Sequence, residues 1–262
     1  MSILTNNLVL TLQAITGNSP LLCYKNIVNY TNIVATSAAS GFPATNMSNP
    51  ATSFYWLASS TADQTITITN TNRVEIDYIG IARHNLSQAG LDVRVRFDGT
   101  TVFDYAPISD EQALLFLFEV ASPLTIEIDI RGATSPVRMS VVYVGQSTLL
   151  QRSIYVGHTP INYGRDRTYI SGVSQSGEFL GEIVTNETLS TSVSLQNLTP
   201  DWYRSTLDPF ISRKPRAPCF FAWRPTTYSD EVSYCWVEGN PRPVNQRANG
   251  MMSIDFNLRG IA

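Results

Sequence analysis

The residues that could carry acid–base or metal chemistry are few and scattered. The 262-residue chain has only two histidines, His84 and His158, and they lie far apart in the sequence. It contains no G-x-S-x-G, no H-E-x-x-H and no Gly-rich phosphate loop. Four aspartates recur at intervals of six residues: Asp92, Asp98, Asp104 and Asp110. The sequence favours a protein that is not an enzyme, although two carboxylates meeting across loops would leave glycoside hydrolysis open.

The cysteines indicate neither a metal site nor a disulfide framework. Cys23, Cys219 and Cys235 lack the paired spacing of a zinc site, and no D-x-D-x-D loop supports calcium. We therefore predict no metal and no cofactor. An odd number of scattered cysteines predicts reduced, buried thiols made in a cytoplasm, with a Cys219–Cys235 bridge as the alternative.

One stretch has the residue types of a sugar-binding loop: FPATNMSNPATSFYWLASS, residues 42–60. A sugar site needs an aromatic platform for the apolar face of the ring and planar polar side chains for its hydroxyls. The candidate ligand-binding residues, in this stretch and after a later strand, are Asn46, Asn49, Trp56, Arg83, His84 and Asn85. The alternative is that Trp56 is a core residue and that the polar side chains lock the loops together through hydrogen bonds.

Bulk composition excludes some classes of function. A net charge of -3 argues against nonspecific nucleic-acid binding. The start of the chain has neither a basic segment nor a long apolar core, so we expect no signal peptide. The densest apolar run, ALLFLFEV, is too short to cross a bilayer, so we expect no membrane insertion.

The elements that must position these residues are strands. Apolar and polar residues alternate in QTITITN, VEIDYIGI, LDVRVRFDG and LTIEIDI, which predicts strands with one dry and one wet face. In VEIDYIGI the predicted dry face is Val74, Ile76 and Tyr78, opposite Glu75 and Asp77. Asp98-Gly99 predicts a hairpin turn that pairs 91–97 with 101–105. Such strands, separated by short turns, predict an antiparallel sandwich.

The residue pattern of the sequence changes after about residue 148. ETLSTSVSLQNL, CFFAW, VSYCWV and MMSIDFNLRG predict further strands. Between them lies the one helix signal, near 199–208. Thr199 is the predicted N-cap, Trp202 and Leu207 the buried stripe, and Pro209 the residue that ends or interrupts the helix. The predicted organisation is an N-terminal arm (1–24), a β-sandwich (25–148) and a smaller β-rich domain with one helix (149–262).

Basic residues cluster in FISRKPRAP and recur in NPRPVNQRANG. The predicted interface residues in these two segments are Arg213, Lys214, Arg216, Arg242 and Arg247. The three in FISRKPRAP would pair with an acidic neighbour, such as the face of Asp230 and Glu231 in another copy, as heterologous contacts do, or would lie in a solvated loop. The loop NPRPVNQRANG would reach a neighbouring subunit or line the lumen of a ring.

Residues 25–145 resemble the discoidin-like, galactose-binding-like jelly roll. The resemblance rests on GFPATNMSNPATSFYWLASS, followed by ITITN, VEIDYIGIARHNL and DVRVRFDG. It implies a mainly β fold whose N-terminal sandwich is a jelly roll with ligand-binding loops at one end. The His84-Asn85-Leu86 turn looks like the version found in bacteriophage tail proteins.

The last 45 residues, from PCFFAW to NLRGIA, resemble the C-terminal end of tail-tip proteins of long-tailed bacteriophages. That resemblance implies a structural virion protein of the tail tip or baseplate, made in the host cytoplasm. Its partners would be copies of itself in a ring, a hexamer being one option, and other tail proteins such as the tail tube, hub and tape measure. Host surface glycans would be a further ligand. The order of modules departs from distal tail proteins, which usually begin with the ring-forming module. The alternative is a free-standing carbohydrate-binding protein.

Overall fold

The structure, a computed structural model, describes residues 3–5, 19–88, 90–213, 217–246 and 248–261. Its strands, in chain order, are β1 (Ile3–Thr5), β2 (Leu21–Cys23), β3 (Ile33–Ala35), β4 (Trp56–Leu57), β5 (Gln64–Thr69), β6 (Ile76–His84), β7 (Asp92–Phe97), β8 (Thr100–Pro107), β9 (Leu114–Ala121), β10 (Thr125–Arg131), β11 (Arg138–Gly145), β12 (Thr148–Leu149), β13 (Arg165–Val173), β14 (Phe179–Leu198), β15 (Cys219–Ala222), β16 (Val232–Glu238), β17 (Val244–Asn245) and β18 (Met252–Gly260). Short 3₁₀ helices lie at Ala44–Ser48 and Ile161–Tyr163.

The chain divides into two compact units. The first is Met1–Leu150 with Ala217–Val232, and the second is Gln151–Arg216 with Ser233–Ala262. Residues 217–232 thus belong to the first unit, although the sequence places them in the predicted 149–262 domain. The predicted arm also contributes a strand to the first unit, because β2 pairs with β12 and β15.

The first unit is built on a β-sandwich, as predicted. Within the described residues one sheet has the order β1-β9-β6-β11-β4 and the other the order β3-β5-β10-β7-β8. The pairs are antiparallel except β1 with β9, which is parallel. Strands β5 and β7 alternate between buried and half-exposed positions, which confirms the predicted period of two.

The predicted turn between β7 and β8 is also confirmed. Phe97 pairs with Thr100 across it. Asp98 and Gly99 both have positive φ, 46° and 81°, which is the backbone of a type I′ hairpin turn and explains why Asp-Gly occupies it.

Strand β6 departs from the predicted pattern of one wet face. Nearly every residue of it is buried, including Asp77, whereas the predicted dry-face residue Val74 is exposed. The reason is that residues from another strand cover the second face of β6, and the alternation within one strand does not reveal such a layer. Phe220 of β15 packs on Gly80, where an added Cβ would come 2.5 Å from the phenyl ring, and stacks edge-on with Tyr143 at 5.7 Å.

The second unit is a smaller β-rich body with one helical segment, as predicted. Among its described strands the order is β16-β18-β14-β13, and β17 pairs with β18. Alternate residues of β18 are buried, namely Met252, Ile254, Phe256 and Leu258.

The helical segment is longer than predicted. It consists of α1 (Pro200–Trp202), a π-helical turn (Tyr203–Leu207) and α2 (Asp208–Ser212), so Pro209 lies inside it. Pro209 comes directly after the π-helical turn, where the regular hydrogen bonding of an α-helix is already interrupted, which accommodates a residue without an N–H. The buried stripe is Tyr203, Leu207, Phe210 and Ile211, and the predicted Trp202 is only half-buried.

Thr199 precedes this helix, but within the described residues its side chain makes no capping hydrogen bond. The hydroxyl of Thr199 instead accepts a hydrogen bond from Gln151 Nε2 at 2.8 Å, and the backbone N–H of Thr199 donates to Gln151 Oε1 at 2.8 Å.

All three cysteines lie in the described residues and are free and buried, as predicted, so the alternative Cys219–Cys235 bridge is not formed. Burial raises the pKa of the Cys23 thiol well above its usual range. Among the described residues, none of the helices is both long enough and apolar enough to span a bilayer.

Candidate functional site

Three segments meet at one end of the sandwich, and we call them the loop cluster: residues 42–57, Asn85 and residues 136–138. The first segment reaches β11 through β4, since Leu57 pairs with Arg138. Asn85 joins the third segment, because its Nδ2 donates to Pro136 O at 3.0 Å and its Oδ1 accepts from Arg138 N at 2.7 Å. The structure thus brings together loops that the sequence places about 80 residues apart.

Trp56 lies in the core and has no exposed surface. Its indole Nε1 donates to Ser37 O at 2.8 Å, so the one polar atom of the ring is also satisfied. Trp56 offers no face on which a sugar could stack. This geometry matches the alternative in which the largest ring anchors the loop.

His84 is also buried and bonded on both ring nitrogens. Nε2 lies 2.9 Å from Gln112 O, and Nδ1 accepts from Leu86 N at 3.4 Å. The carbonyl partner requires a proton on Nε2, and the N–H partner requires a lone pair on Nδ1, so the ring is neutral. Burial lowers the pKa of His84 to about 4. His84 therefore fastens the turn after β6 to the loop before β9.

The predicted asparagines mostly bond to neighbouring backbone. Asn46 Nδ2 donates to Tyr55 O at 2.9 Å, and Asn49 Oδ1 accepts from Ala51 N at 2.9 Å. Asn49 is exposed, whereas Asn46 and Asn85 are half-buried. These bonds hold the loop cluster in one conformation and leave Asn49 accessible to a ligand.

Arg83 is exposed and adopts an unusual backbone conformation. Its φ is 52°, in a region that residues other than glycine rarely adopt. Backbone of this kind persists only when the surrounding structure fixes it, and pairing of β6 with β11 on both sides of Arg83 does so. Ligand contact by the six predicted residues stays a prediction. Of the six, Asn49 and Arg83 have exposed side chains.

Sequence reasoning missed the rings that reach solvent in the same stretch. Phe54 is 52% exposed. Tyr55 stacks on Phe42 with centroids 4.6 Å apart and an interplanar angle of 19°, and the Arg138 guanidinium carbon lies 5.5 Å from the Tyr55 centroid. The signal was present in the sequence, because Phe54 and Tyr55 directly precede Trp56.

The aspartates that could have served hydrolysis are held by separate partners. Asp92 pairs with Arg131 at 3.2 Å, and Asp98 accepts from the backbone of Leu124 and Thr125 at 3.0 and 2.8 Å. These contacts fix strand ends and turns.

A paired charge network covers part of the outer face of β7 and β10. Asp129 accepts from Arg94 Nε at 2.9 Å, from Arg96 Nη2 at 3.0 Å and from Thr65 Oγ1 at 2.8 Å. Burial alone would raise the pKa of Asp129, but these hydrogen bonds lower it to about 2. Because every charge in this network has a partner, its role is to stabilise the sheet.

The second unit contains an open polar cleft of about 370 Å³. Hydroxyl groups of Thr159, Ser190, Thr191 and Ser192 line it with the carboxylates of Asp166 and Glu238. Among the described residues, no group of three or more histidine, cysteine or acidic side chains is placed to hold a metal ion.

The predicted basic interface is described only in part. Lys214, Arg216 and Arg247 lie outside the described residues. Arg242 is exposed, and the Arg213 guanidinium carbon lies 4.6 Å from the centroid of Phe210.

The predicted acidic face for these basic residues needs correction. Glu231 is buried and accepts a hydrogen bond from the Trp223 indole N–H, so it presents no carboxylate to another copy. Trp223 in turn stacks on Tyr228 with centroids 5.5 Å apart. Glu231 therefore stabilises the loop between β15 and β16.

A long hairpin in the second unit, residues 165–187, exposes apolar side chains in an unusual way; we call it the apolar hairpin. Strand β13 and the first half of β14 form it, and every residue from 165 to 186 is exposed except Gly172 and Ser174, which lie near its turn. Seven of its large apolar side chains are exposed: Tyr169, Ile170, Val173, Phe179, Leu180, Ile183 and Val184.

Comparison with known proteins finds similarity in structure only. No protein-family model matches the sequence, and no curated protein matches it. One similar solved structure is chitosan-binding module 1 of a chitosanase/glucanase from Paenibacillus sp. IK-5, with a TM-score of 0.40 and 14% identity over 46% of this chain and 98% of that one.

Two other similar structures are also sugar-binding modules. A fucose-binding module of Streptococcus pneumoniae has a TM-score of 0.39 and 11% identity, covering 46% of this chain and 94% of that one. A Clostridium perfringens module in complex with GalNAc-β-1,3-galactose has a TM-score of 0.36 and 13% identity, covering 43% and 93%. Similarities as low as these carry no argument about what this chain binds.

Proposed function

We propose that this chain is a structural protein of a bacteriophage tail tip or baseplate that assembles into a ring and carries an outward sandwich for host surface carbohydrate. The observation that carries the assembly role is the apolar hairpin. The resemblance of the last 45 residues to tail-tip proteins supports the virion role. The other tail proteins that would surround such a ring, the tube, hub and tape measure, follow from that resemblance alone.

The apolar hairpin supports assembly because it has apolar side chains on both faces. Tyr169 pairs with Val184, and the next pair, Ile170 with Ile183, points to the opposite face of the ribbon. A two-stranded ribbon is marginally stable alone in water. Exposed apolar surface of this extent marks a protein interaction site. A partner that encloses the hairpin on both sides would remove this surface from water.

Mass photometry over a concentration series, with negative-stain imaging of the largest species, tests assembly. Ile170→Glu/Ile183→Glu places a charge on each strand of the hairpin, and Val34→Glu, at an exposed valine of the sandwich, is the matched control. We expect wild type and the control to form oligomers and the hairpin variant to remain monomeric. A wild-type protein that stays monomeric up to its solubility limit would contradict the assembly role.

Carbohydrate binding by the sandwich is favoured by a separate observation. The loop cluster contains an exposed ring, Phe54, the Phe42–Tyr55 stack with the Arg138 guanidinium carbon 5.5 Å from the Tyr55 centroid, and the exposed side chain of Asn49. A ring for the apolar face of a sugar together with an amide and a guanidinium for its hydroxyls is the chemistry of a glycan site.

A glycan array tests this second role. We expect Phe54→Ala and Arg138→Ala to lose binding, and Tyr30→Ala, which removes an exposed ring outside the loop cluster, to retain it. Binding that survives both loop-cluster substitutions would place the sugar elsewhere. No binding by well-folded wild-type protein would remove the carbohydrate role and leave assembly untouched.

A further inference from the structure

The apolar hairpin needs a partner surface, and the same unit contains an apolar surface of the right kind. Within residues 151–164 three large side chains are exposed: Tyr155 at 51%, Val156 at 85% and Tyr163 at 66%. We call this segment the acceptor segment. Its backbone is firmly placed, since Tyr155 N donates to Ser194 O at 2.9 Å and Tyr163 N to Pro160 O at 2.9 Å.

The exposed aromatic rings of the acceptor segment do not result from a loose loop. Gly164, at its end, lies so close to Ser190 that an added Cβ would fall 1.8 Å from the carbonyl oxygen. The backbone of Gly164 also accepts a hydrogen bond from Ser190 N at 2.7 Å. The segment is thus fixed against β14 while its apolar side chains point to solvent, an arrangement that costs free energy unless something covers them.

The charges of the two surfaces are complementary. The outer part of the hairpin, residues 169–184, contains two acids, Glu178 and Glu182, and no lysine or arginine. The acceptor segment contains one charged residue, the exposed Arg152, and no acid of its own. Opposite charge favours approach of the hairpin to this segment and disfavours approach of one hairpin to another.

We propose that the apolar hairpin of one copy docks on the acceptor segment of a second copy of this chain. The proposal deepens the assembly role and rests on it. Two different surfaces of one chain then meet, so the contact is heterologous, and a pair of copies keeps one free hairpin and one free acceptor segment in total. Contacts of this type close into a ring when the rotation between copies permits it and otherwise extend into a filament.

A mixing experiment tests the pairing of these two surfaces. The donor variant is Ile170→Glu/Ile183→Glu, and the acceptor variant is Tyr155→Glu/Val156→Glu. We expect each variant alone to lose self-association by at least about tenfold, because a buried unpaired charge is costly. Mixed together, they keep one intact hairpin and one intact acceptor segment, so mass photometry should show one-to-one dimers.

Disulfide trapping gives a measurement that does not depend on a disruptive charge. With Val156→Cys and Ile183→Cys in the same chain, oxidation should link copies into dimers and longer ladders. The native cysteines are buried and do not compete. The matched control moves the first cysteine to the sandwich, as Val34→Cys with Ile183→Cys, and should give no ladder. Circular dichroism of each variant confirms that it is folded.

The outcomes separate failure of this inference from failure of the assembly role. If wild type self-associates and the donor variant does not, but the acceptor variant behaves as wild type and no ladder forms, the hairpin docks elsewhere and the inference is overturned while assembly stands. If the donor variant also assembles as wild type does, another surface drives assembly and the inference is again overturned. If wild type is monomeric at every concentration, both proposals fail.

Discussion

Ile170 and Ile183 face each other across a two-stranded ribbon, and their side chains are 65% and 68% exposed to solvent. Two β-branched residues in a cross-strand pair normally belong to the dry face of a sheet. Here the next pair, Tyr169 and Val184, occupies the other face, so each face of the ribbon presents an exposed apolar pair. A tight turn joins the two strands: Gly177, at φ 85°, donates its N–H to Ser174 O at 2.9 Å. The hairpin therefore presents these apolar side chains to solvent.

We expect truncation of Trp56 to destabilise the protein much more than truncation of Phe54. Trp56→Ala removes a buried ring and should lower the free energy of unfolding by about 3–5 kcal/mol. Phe54→Ala removes a ring that is half in solvent and should change it by less than about 1 kcal/mol. Urea denaturation of the two variants measures both. Equal losses would mean that the loop cluster packs differently from the structure described.

Protonation of His84 should destabilise the protein in weak acid. Burial lowers its pKa from 6.5 to about 4, so between these values the unfolded chain takes up a proton that the folded chain does not. Stability attributable to His84 is therefore full above the unfolded pKa and falls as pH drops from 6.5 toward 4, by about 3 kcal/mol in total.

Urea denaturation at neutral pH and at about pH 4.5 measures this slope. His84→Gln keeps an amide donor for Gln112 O but cannot titrate, so its stability should change less between the two conditions. A variant with the same slope as wild type would assign the acid sensitivity to other groups.

Asp129 should show a pH dependence of the same sign, confined to lower pH. Its folded pKa is about 2, below the usual 3.8, because arginine and threonine donors hold the carboxylate. This contribution is present above the unfolded pKa and is lost as pH falls from about 4 to 2. We expect Asp129→Asn to cost about 1–2 kcal/mol at neutral pH and the difference from wild type to shrink at about pH 2.5. A difference that does not change with pH would show that packing, and not charge, holds Asp129.

Sequence patterns predicted the features of this fold that local chemistry controls. The Asp98-Gly99 turn, the alternation in β5, β7 and β18, and the free cysteines were all predictable, since each depends on a few consecutive residues or on simple composition. Local sequence offered two interpretations of Trp56, a core ring and a sugar platform, and the structure places the ring in the core. Its burial was therefore only partly predictable. It depends on the pairing of β4 with Arg138 and Met139 of β11, a contact between distant parts of the chain.

The apolar hairpin and the covered strand β6 both show that residue type does not by itself predict burial. Ile183 and Val184 are of residue types that usually lie in a core, yet no described residue of this chain buries them. Asp77 is of a residue type that usually lies on the surface, yet it is buried. Its carboxylate accepts hydrogen bonds from Ser147 N at 2.6 Å and Ser147 Oγ at 3.0 Å. Whether a strand receives a second layer depends on other segments or other molecules, which periodicity does not report.

The contact between Gly80 and Phe220 should be sensitive to a single methyl group. An added Cβ would lie 2.5 Å from the Phe220 ring, so Gly80→Ala must displace the ring or the strand. We expect a loss of about 1–3 kcal/mol in the free energy of unfolding. Phe220→Leu in the same chain frees space and should recover part of that loss, which a double-mutant cycle measures. Gly172→Ala is the control, because its Cβ would meet only Leu180 at 3.5 Å. Simple additivity in the cycle would mean that ring and strand do not compete for this space.

The apolar hairpin should exchange its amide hydrogens quickly in the monomer and slowly in the assembly. Among the described pairings, residues 179–188 of β14 pair with β13 alone, whereas β14 gains β18 as a second neighbour from Leu189 onward. Opening of a ribbon with one neighbour and no buried face costs little free energy, so its amides exchange readily. Hydrogen exchange read by mass spectrometry should therefore show rapid labelling of 169–184 in Ile170→Glu/Ile183→Glu and strong protection of the same peptides in wild-type oligomers. The peptides that cover Leu189–Leu195 are the internal control and should be protected in both. Equal labelling of 169–184 in monomer and oligomer would mean that the oligomer forms without covering the hairpin.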